Sequence, residues 1–147
     1  MIEGIDKSLN DMLDHFEKLG VAEDTLVIFL GDNGSDAPLG HQHDVACAAP
    51  LRGKKGAHYE GGMRVPTVMW WPGRIPAGKE CSEVGASMDF LPTCAAISGA
   101  KVPDDRVIDG KNLLPLMEAR KGAKSPHQAF FYGTEAVRSG KWKLKRN

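Results

Sequence analysis

The sequence predicts an α/β fold: part of a mixed sheet with flanking helices, followed by a small C-terminal antiparallel sheet. Three observations carry this. Leu26-Val27-Ile28-Phe29-Leu30 is a short, continuous apolar run, as in a strand buried on both faces of a parallel sheet. It is preceded by a stretch with helical spacing of apolar residues, the helix–strand half of a βαβ unit. Near the other end, Trp142-Lys143-Leu144-Lys145 alternates apolar with cationic residues, the period of a half-exposed strand.

The elements follow in order. Ile2, Ile5, Leu9, Met12, Leu13, Phe16 and Leu19 recur at steps of mostly three and four, and Gly20 supplies a stop, so a helix spans about residues 2–19. A turn through Glu23-Asp24 enters the 26–30 strand. From Gly31 to Met63 the chain reads mostly as loop. So long a loop is uncommon in a compact domain unless it serves a function or is disordered, and its glycine, histidine and lysine content favours function. Residues 66–71 form a second strand, closed by a turn at Pro72-Gly73. Its adjacent Trp70 and Trp71 must face opposite ways, one toward the core. Residues 87–98 read as a helix. Pro92 lies near its start, where a missing N–H costs least, and Gly99 ends it. Residues 100–112 are a polar connection, and a short helical turn follows around 113–119. Ala129-Phe130-Phe131-Tyr132, Ala136-Val137-Arg138 and 142–145 form the terminal antiparallel strands, with the last turn at Ser139-Gly140-Lys141.

Composition narrows the function classes. Of 147 residues, 41% are hydrophobic and 26% charged, as in an ordinary globular protein. Nineteen cations balance nineteen anions, so no net field favours nucleic acid or an anionic membrane. No segment has the roughly 20 apolar residues needed to span a bilayer. The start, Met1-Ile2-Glu3-Gly4, lacks the basic and apolar regions of a signal peptide. Three loosely spaced cysteines give no disulfide framework and no zinc pattern.

Two segments carry chemistry. The first is Leu51 through Pro66, which packs four glycines among Arg52, Lys54, Lys55, His58 and Arg64 within sixteen residues. Dense glycine lets backbone approach a ligand closely, and clustered cations suit an anion such as sulfate or phosphate. The second is Gly31-Asp32-Asn33-Gly34, at the carboxyl end of the 26–30 strand, the side on which open α/β sheets bind ligands. Asp32 and Asn33 offer oxygen atoms to a hard cation such as Ca²⁺ or Mg²⁺. The same residues also read as a tight turn, because Asn-Gly is a common turn pair. His41, His43 and His58 lie in or beside these loops. Each titrates near neutral pH and suits a general acid or a substrate ligand, and each reads equally as an ordinary loop histidine. Glu60 and Arg64 read as structural: a carboxylate in a glycine-rich loop accepts backbone N–H groups, and an arginine fork ties loop to loop.

Taken in series, several stretches resemble the sulfatase family, whose members hydrolyse sulfate esters with a formylglycine residue. These are Val27 through Gly34, Leu51 through Pro66, Trp71-Pro72-Gly73-Arg74-Ile75, Ser87 through Thr93, Ile108 through Leu116, and Ala136 through Leu144. The resemblance covers the later portion of such an enzyme. It implies that residues 1–125 are the later part of the α/β domain and that 126–147 are strands of a smaller subdomain. It implies a Ca²⁺ (or Mg²⁺) held in part by Asp32 and Asn33, and a sulfate-contacting lysine at Lys55, with Lys54 as the neighbour that could trade roles with it. Lys55 is then expected to do catalytic work and, with Lys54, to contact substrate; from its place three residues after Lys55, His58 is read as a second catalytic candidate, and His43 as a substrate contact from its place in the loop.

The nucleophile of the family arises from a cysteine in a Cys-x-Pro-x-Arg motif. Cys47-Ala48-Ala49-Pro50-Leu51-Arg52 places proline and arginine one position too far along, and Cys81 and Cys94 lack the context. The formylglycine, the early aspartates and the early sulfate-binding lysine and histidines are therefore expected outside these residues. The chain alone is expected to be inactive and to self-associate. The resemblance further implies a sulfated small molecule or glycan as substrate and an exported or lysosomal parent. Two alternatives stand beside it: a phosphodiesterase or phosphomutase of the wider alkaline-phosphatase-like superfamily, and a non-catalytic fragment acting only in binding or assembly.

Overall fold

The computed structural model describes residues 1–36 and 48–146. Helices and strands are mixed along the chain, as the sequence predicts. Their order is α1 (Ile2–Lys18), β1 (Val27–Leu30), α2 (Glu60–Met63), β2 (Thr67–Trp70), α3 (Phe90–Ser98), α4 (Leu114–Met117), β3 (Phe130–Tyr132), β4 (Ala136–Ser139) and β5 (Trp142–Lys145). Strands β1 and β2 pair with each other, and β3, β4 and β5 form a second sheet in that order. The chain divides into two compact units, residues 1–28 with 69–125 and residues 29–68 with 126–147.

In the first unit, α1 ends as the sequence predicts. Gly20 takes a left-handed φ of 70°, the Val21 N–H reaches the Phe16 carbonyl at 3.1 Å, and the Gly20 N–H reaches Glu17 at 2.9 Å. This six-to-one and five-to-two pairing satisfies carbonyls that the last turn would leave open. The apolar face of α1 is only partly covered: Leu9, Leu13 and Phe16 are half-buried, while Ile2 and Ile5 are 81% and 46% exposed.

The core of this unit gathers Trp71, Ala95, Leu113, Leu114 and Met117. Trp71, the inward member of the tryptophan pair, donates its indole N–H to the Glu23 carbonyl. The Arg74 guanidinium lies 4.4 Å from its ring centroid and bonds Glu118 at 2.6 Å. The polar centre is Asp89, fully buried at the end of a 3₁₀ turn (Ser87–Asp89) that leads into α3. One of its oxygens accepts the Ala86 N–H at 2.8 Å and the other accepts the Lys111 N–H at 2.7 Å. The Thr93 hydroxyl donates to the Asp89 carbonyl at 2.6 Å and accepts the Leu113 N–H at 2.9 Å. The polar connection predicted for residues 100–112 is thereby tied to α3. Gly110 must be glycine there, since a Cβ would lie 2.0 Å from the Met88 carbonyl oxygen.

In the second unit, the antiparallel sheet has a definite register: Phe131 opposite Val137, and Val137 opposite Leu144. Alternation then puts Tyr132, Ala136, Arg138, Lys143 and Lys145 on one face. The β5 alternation predicted from sequence is present, but the lysines take the half-buried side while Trp142 and Leu144 are 74% and 73% exposed. The reason lies in the site below: Lys143 finds a carboxylate and an aromatic ring on that face.

Strand β1 departs from expectation. Its continuous apolar run predicts burial on both faces, yet none of its residues is buried and Phe29 is 42% exposed. Among the described residues it has a single strand neighbour, β2, and one neighbour cannot enclose it.

Two outcomes follow. Asp89→Ala leaves two amide donors without their acceptor, which should lower stability by about 3 kcal/mol. Urea unfolding followed by tryptophan fluorescence reads this, and a loss below about 1 kcal/mol would contradict the central role given to the carboxylate. The partly covered apolar stripe of α1 and the partly covered β1 should make the 147-residue chain self-associate. Size-exclusion chromatography with light scattering checks it, and a stable, cooperatively unfolding monomer at micromolar concentration is the contrary result.

Candidate functional site

The two loops singled out by sequence meet within the second unit. The Lys55 N–H donates to the Ser35 carbonyl at 2.9 Å, the Gly34 N–H to Gly62 at 3.0 Å, and the Gly31 N–H to Pro66 at 3.2 Å. The 31–35 turn is thus laced along the 54–66 segment by backbone hydrogen bonds. Glycine makes this approach possible. A Cβ on Gly34 would sit 2.2 Å from the Gly61 carbonyl oxygen, one on Gly61 2.3 Å from that of Gly53, and one on Gly62 2.2 Å from that of Ala57. The obstacles are backbone atoms, which cannot swing aside as a side chain can. Gly53 and Gly56 take left-handed φ values of 86° and 85°, which turn the chain on either side of Lys54 and Lys55.

This lacing brings Asp32, Asn33, Lys54, Lys55 and His58 into one loop cluster. Asp32 is exposed and Asn33 half-buried at the carboxyl end of β1. Asp32 makes no ion pair among the described residues. Lys54 is half-buried, Lys55 exposed and His58 half-buried. His43, and His41 beside it, lie outside the described residues. Among the described residues no three His, Cys, Asp or Glu side chains converge as a complete metal cage. Asp32 and Asn33 together carry three side-chain oxygens of the hard type, fewer than the six to eight that Ca²⁺ takes.

Sequence reasoning missed what holds the cluster. Glu60, the first residue of α2, does not spend its carboxylate on backbone N–H groups. It accepts the Tyr132 hydroxyl at 3.0 Å, the Arg138 guanidinium at 2.7 Å and the Lys143 ammonium at 2.7 Å. All three side chains come from the inner face of the β3–β5 sheet. The Lys143 ammonium also lies 3.6 Å from the centroid of the Tyr132 ring. Tyr59, next to Glu60, has the Arg52 guanidinium at 4.1 Å and the Lys145 ammonium at 5.3 Å from its ring. Arg64, read as a loop tie, is exposed and makes no ion pair among the described residues. Arg138 makes the tie instead. The one signal in the sequence is the strand alternation, which puts Arg138 and Lys143 on the same face as Tyr132 once the strands are in register.

Burial of Glu60 would raise its carboxyl, but the Lys143 and Tyr132 hydrogen bonds and the charges of Lys143 and Arg138 outweigh it and hold the carboxyl below the ordinary glutamate value. Tyr132 moves the other way: burial and the Glu60 charge push its hydroxyl up to about 12. The hydroxyl thus stays a donor to Glu60 at every pH at which proteins are handled.

Known proteins and solved structures are similar to the chain over most of its length. A family model described as Sulfatase matches residues 1–100. Human steryl-sulfatase is 35% identical over 139 residues, covering 89% of this chain. The chain spans 23% of that protein's length. Among solved structures, the PsFucS1 sulfatase from Pseudoalteromonas sp. superposes with a TM-score of 0.82 at 26% identity, covering 97% of this chain and 29% of that one. BT4656, solved with its substrate D-glucosamine-2-N,6-O-disulfate, gives a TM-score of 0.67 at 25% identity, covering 94% of this chain and 28% of that one.

The lowered Glu60 carboxyl has a pH consequence. Its folded value lies below its unfolded one, so its stabilisation is present above the unfolded value, about 4.3, and is lost as pH falls through the folded value. Urea midpoints of the chain and of Glu60→Gln, measured from about pH 6 down to about pH 3, should differ most at the upper end and converge at the lower. A gap that stays constant across that range would show that the charge of Glu60 does not stabilise the fold.

Proposed function

The chain belongs to the sulfatase family, and from that we propose that it supplies the later part of a sulfate-ester hydrolase: a share of the metal site and a lysine that grips the sulfate group. One observation carries this reading. The backbone lacing from Gly31 to Pro66 holds the Asp32–Asn33 turn beside the Lys54–Lys55 turn, so that residues with hard oxygen donors and two lysines belong to one loop cluster. That is the donor set a sulfate ester and a hard divalent cation need together.

Asp32 and Asn33 fit Ca²⁺, or Mg²⁺, as part of a site whose remaining ligands come from elsewhere in the enzyme. A bound Ca²⁺ would supply positive charge against the ester and hold the nucleophile in place. Asp32 contributes a full charge and Asn33 a neutral carbonyl. Lys55, exposed on its turn, neutralises charge that gathers on the sulfuryl and bridging oxygens as the ester bond breaks. Lys54, half-buried, is the lesser partner. His58 lies three residues past Lys55 and is placed to bind substrate or hand a proton to the leaving oxygen. The substrate class is a sulfated small molecule or glycan, in keeping with the sugar disulfate bound by BT4656. The formylglycine nucleophile is not among these 147 residues, so the polypeptide by itself should not turn over a sulfate ester.

In the complete enzyme, Lys55→Ala should lower turnover of a chromogenic sulfate ester roughly 10²–10³-fold, the range for one preorganised charge stabiliser, and Lys54→Ala much less. Asp32→Ala should abolish both activity and Ca²⁺ retention, and Asn33→Ala should weaken both less severely. A crippled Lys54 variant beside a healthy Lys55 variant would move the sulfate lysine by one residue. Full Ca²⁺ retention in Asp32→Ala would remove that residue from the metal site.

A further inference from the structure

We propose that Glu60 is a positioning residue for this site: anchored to the β3–β5 sheet, it sets where the Lys55 turn and the Asp32–Asn33 turn stand. The inference rests on the reading of Lys55 as the sulfate lysine and adds the element that fixes it.

The connection can be traced atom by atom. Tyr132, Arg138 and Lys143 hold the Glu60 carboxylate at 3.0, 2.7 and 2.7 Å. The next residue, Gly61, donates its N–H to the Arg52 carbonyl at 2.8 Å, which fixes the start of the segment that turns through Lys54 and Lys55. Gly62 follows, and its carbonyl accepts the Gly34 N–H at 3.0 Å, one residue beyond Asn33. The Lys55 N–H closes the circuit on Ser35 at 2.9 Å. Both candidate turns are therefore hydrogen-bonded to the two glycines that follow Glu60 in the chain. Those glycines have no lateral freedom, since any Cβ at either would meet carbonyl oxygens at 2.2–2.3 Å. A displacement of Glu60 must pass to both turns.

The chemistry of the anchor matches such a task. A carboxylate with three donors of different direction is fixed in position and in rotation, as a single surface ion pair is not. The three partners are themselves constrained: Tyr132 is buried, and the side chains of Arg138 and Lys143 are only 22% and 16% exposed. The two cations exceed the single carboxylate charge. The anchor thus leaves net positive charge beneath the loop that is to hold an anion, and it costs the loop none of its own lysines.

The test is a double-mutant cycle in the complete enzyme, joined to amide exchange on the chain. Glu60→Gln keeps the shape of the side chain and removes its charge. It should lower kcat for a sulfate ester about 10- to 100-fold, as misplacement of a reacting group does. In a Lys55→Ala background the same change should cost less than about threefold, because the residue it positions is already gone. A merely structural role would give the full loss in both backgrounds, and that result overturns the proposal. Amide exchange separates this from a failure of the sulfate reading. The Lys55 and Gly34 amides should lose protection at least about tenfold in Glu60→Gln while the Lys111 amide, held by Asp89, keeps its own. Equal loss at all three amides, or no loss, also overturns it. If Lys55→Ala proves harmless while the exchange contrast is present, the sulfate assignment falls and Glu60 stands as the anchor of the loops. Tyr132→Phe removes one of the three bonds and should move each readout the same way by less, which keeps the test decisive if Glu60→Gln fails to fold.

Discussion

Everything near the candidate site depends on backbone packed directly against backbone. At Gly34, Gly61 and Gly62 the chain passes so close to other main-chain atoms that a single methyl group would overlap carbonyl oxygens at 2.2–2.3 Å. Contact of this kind has no side chains to cushion it. It is stiff, and it transmits displacement instead of absorbing it. The same closeness aligns the N–H groups of Gly34 and Lys55 with carbonyls across the gap, so steric constraint and hydrogen bonding enforce one geometry. A loop region that is irregular by secondary structure is therefore more narrowly defined than many regular elements.

The first unit solves the same problem with a different device. There a buried carboxylate, Asp89, takes backbone N–H groups from residues 3 and 22 positions away. In the second unit the carboxylate of Glu60 takes side-chain donors 72, 78 and 83 positions away. Backbone partners fix a turn, and side-chain partners on a sheet fix a loop to a platform. The charge state differs in consequence: Glu60 is surrounded by cations and held ionised, and its hydrogen-bonded phenol is held neutral.

Much of this was legible in the sequence, for local reasons. Gly20 and Gly99, each after an apolar periodic run, mark helix ends and adopt the left-handed φ that such ends require. The apolar runs at 26–30 and 66–71 mark strands, and the density of glycine and cations between Leu51 and Arg64 marks the candidate loop. What escaped notice was non-local. Nothing near Glu60 announces a tyrosine, an arginine and a lysine on strands far along the chain. The alternation of β5 was readable, but which face would turn inward was not. Apolar burial favours Trp142 and Leu144, and the pull of Glu60 and Tyr132 on Lys143 reverses the choice. Strand β1 was read as enclosed because its composition suits a sheet interior, and composition does not count neighbours.

The long reach of the Glu60 network also orders events during synthesis. A ribosome adds about 5–20 residues per second, so Glu60 emerges several seconds before the last of its partners, 83 residues later. During that interval the glycine-rich loop can lace to the Asp32–Asn33 turn, since both are already made, but nothing yet clamps it to a sheet. A nascent chain must carry this half-assembled loop, its Glu60 carboxylate still without the hydroxyl, guanidinium and ammonium groups that will hold it, until β5 has been delivered. The site is thus finished late, and a polypeptide interrupted before Lys143 would hold all the candidate ligands and lack the means to keep them in register.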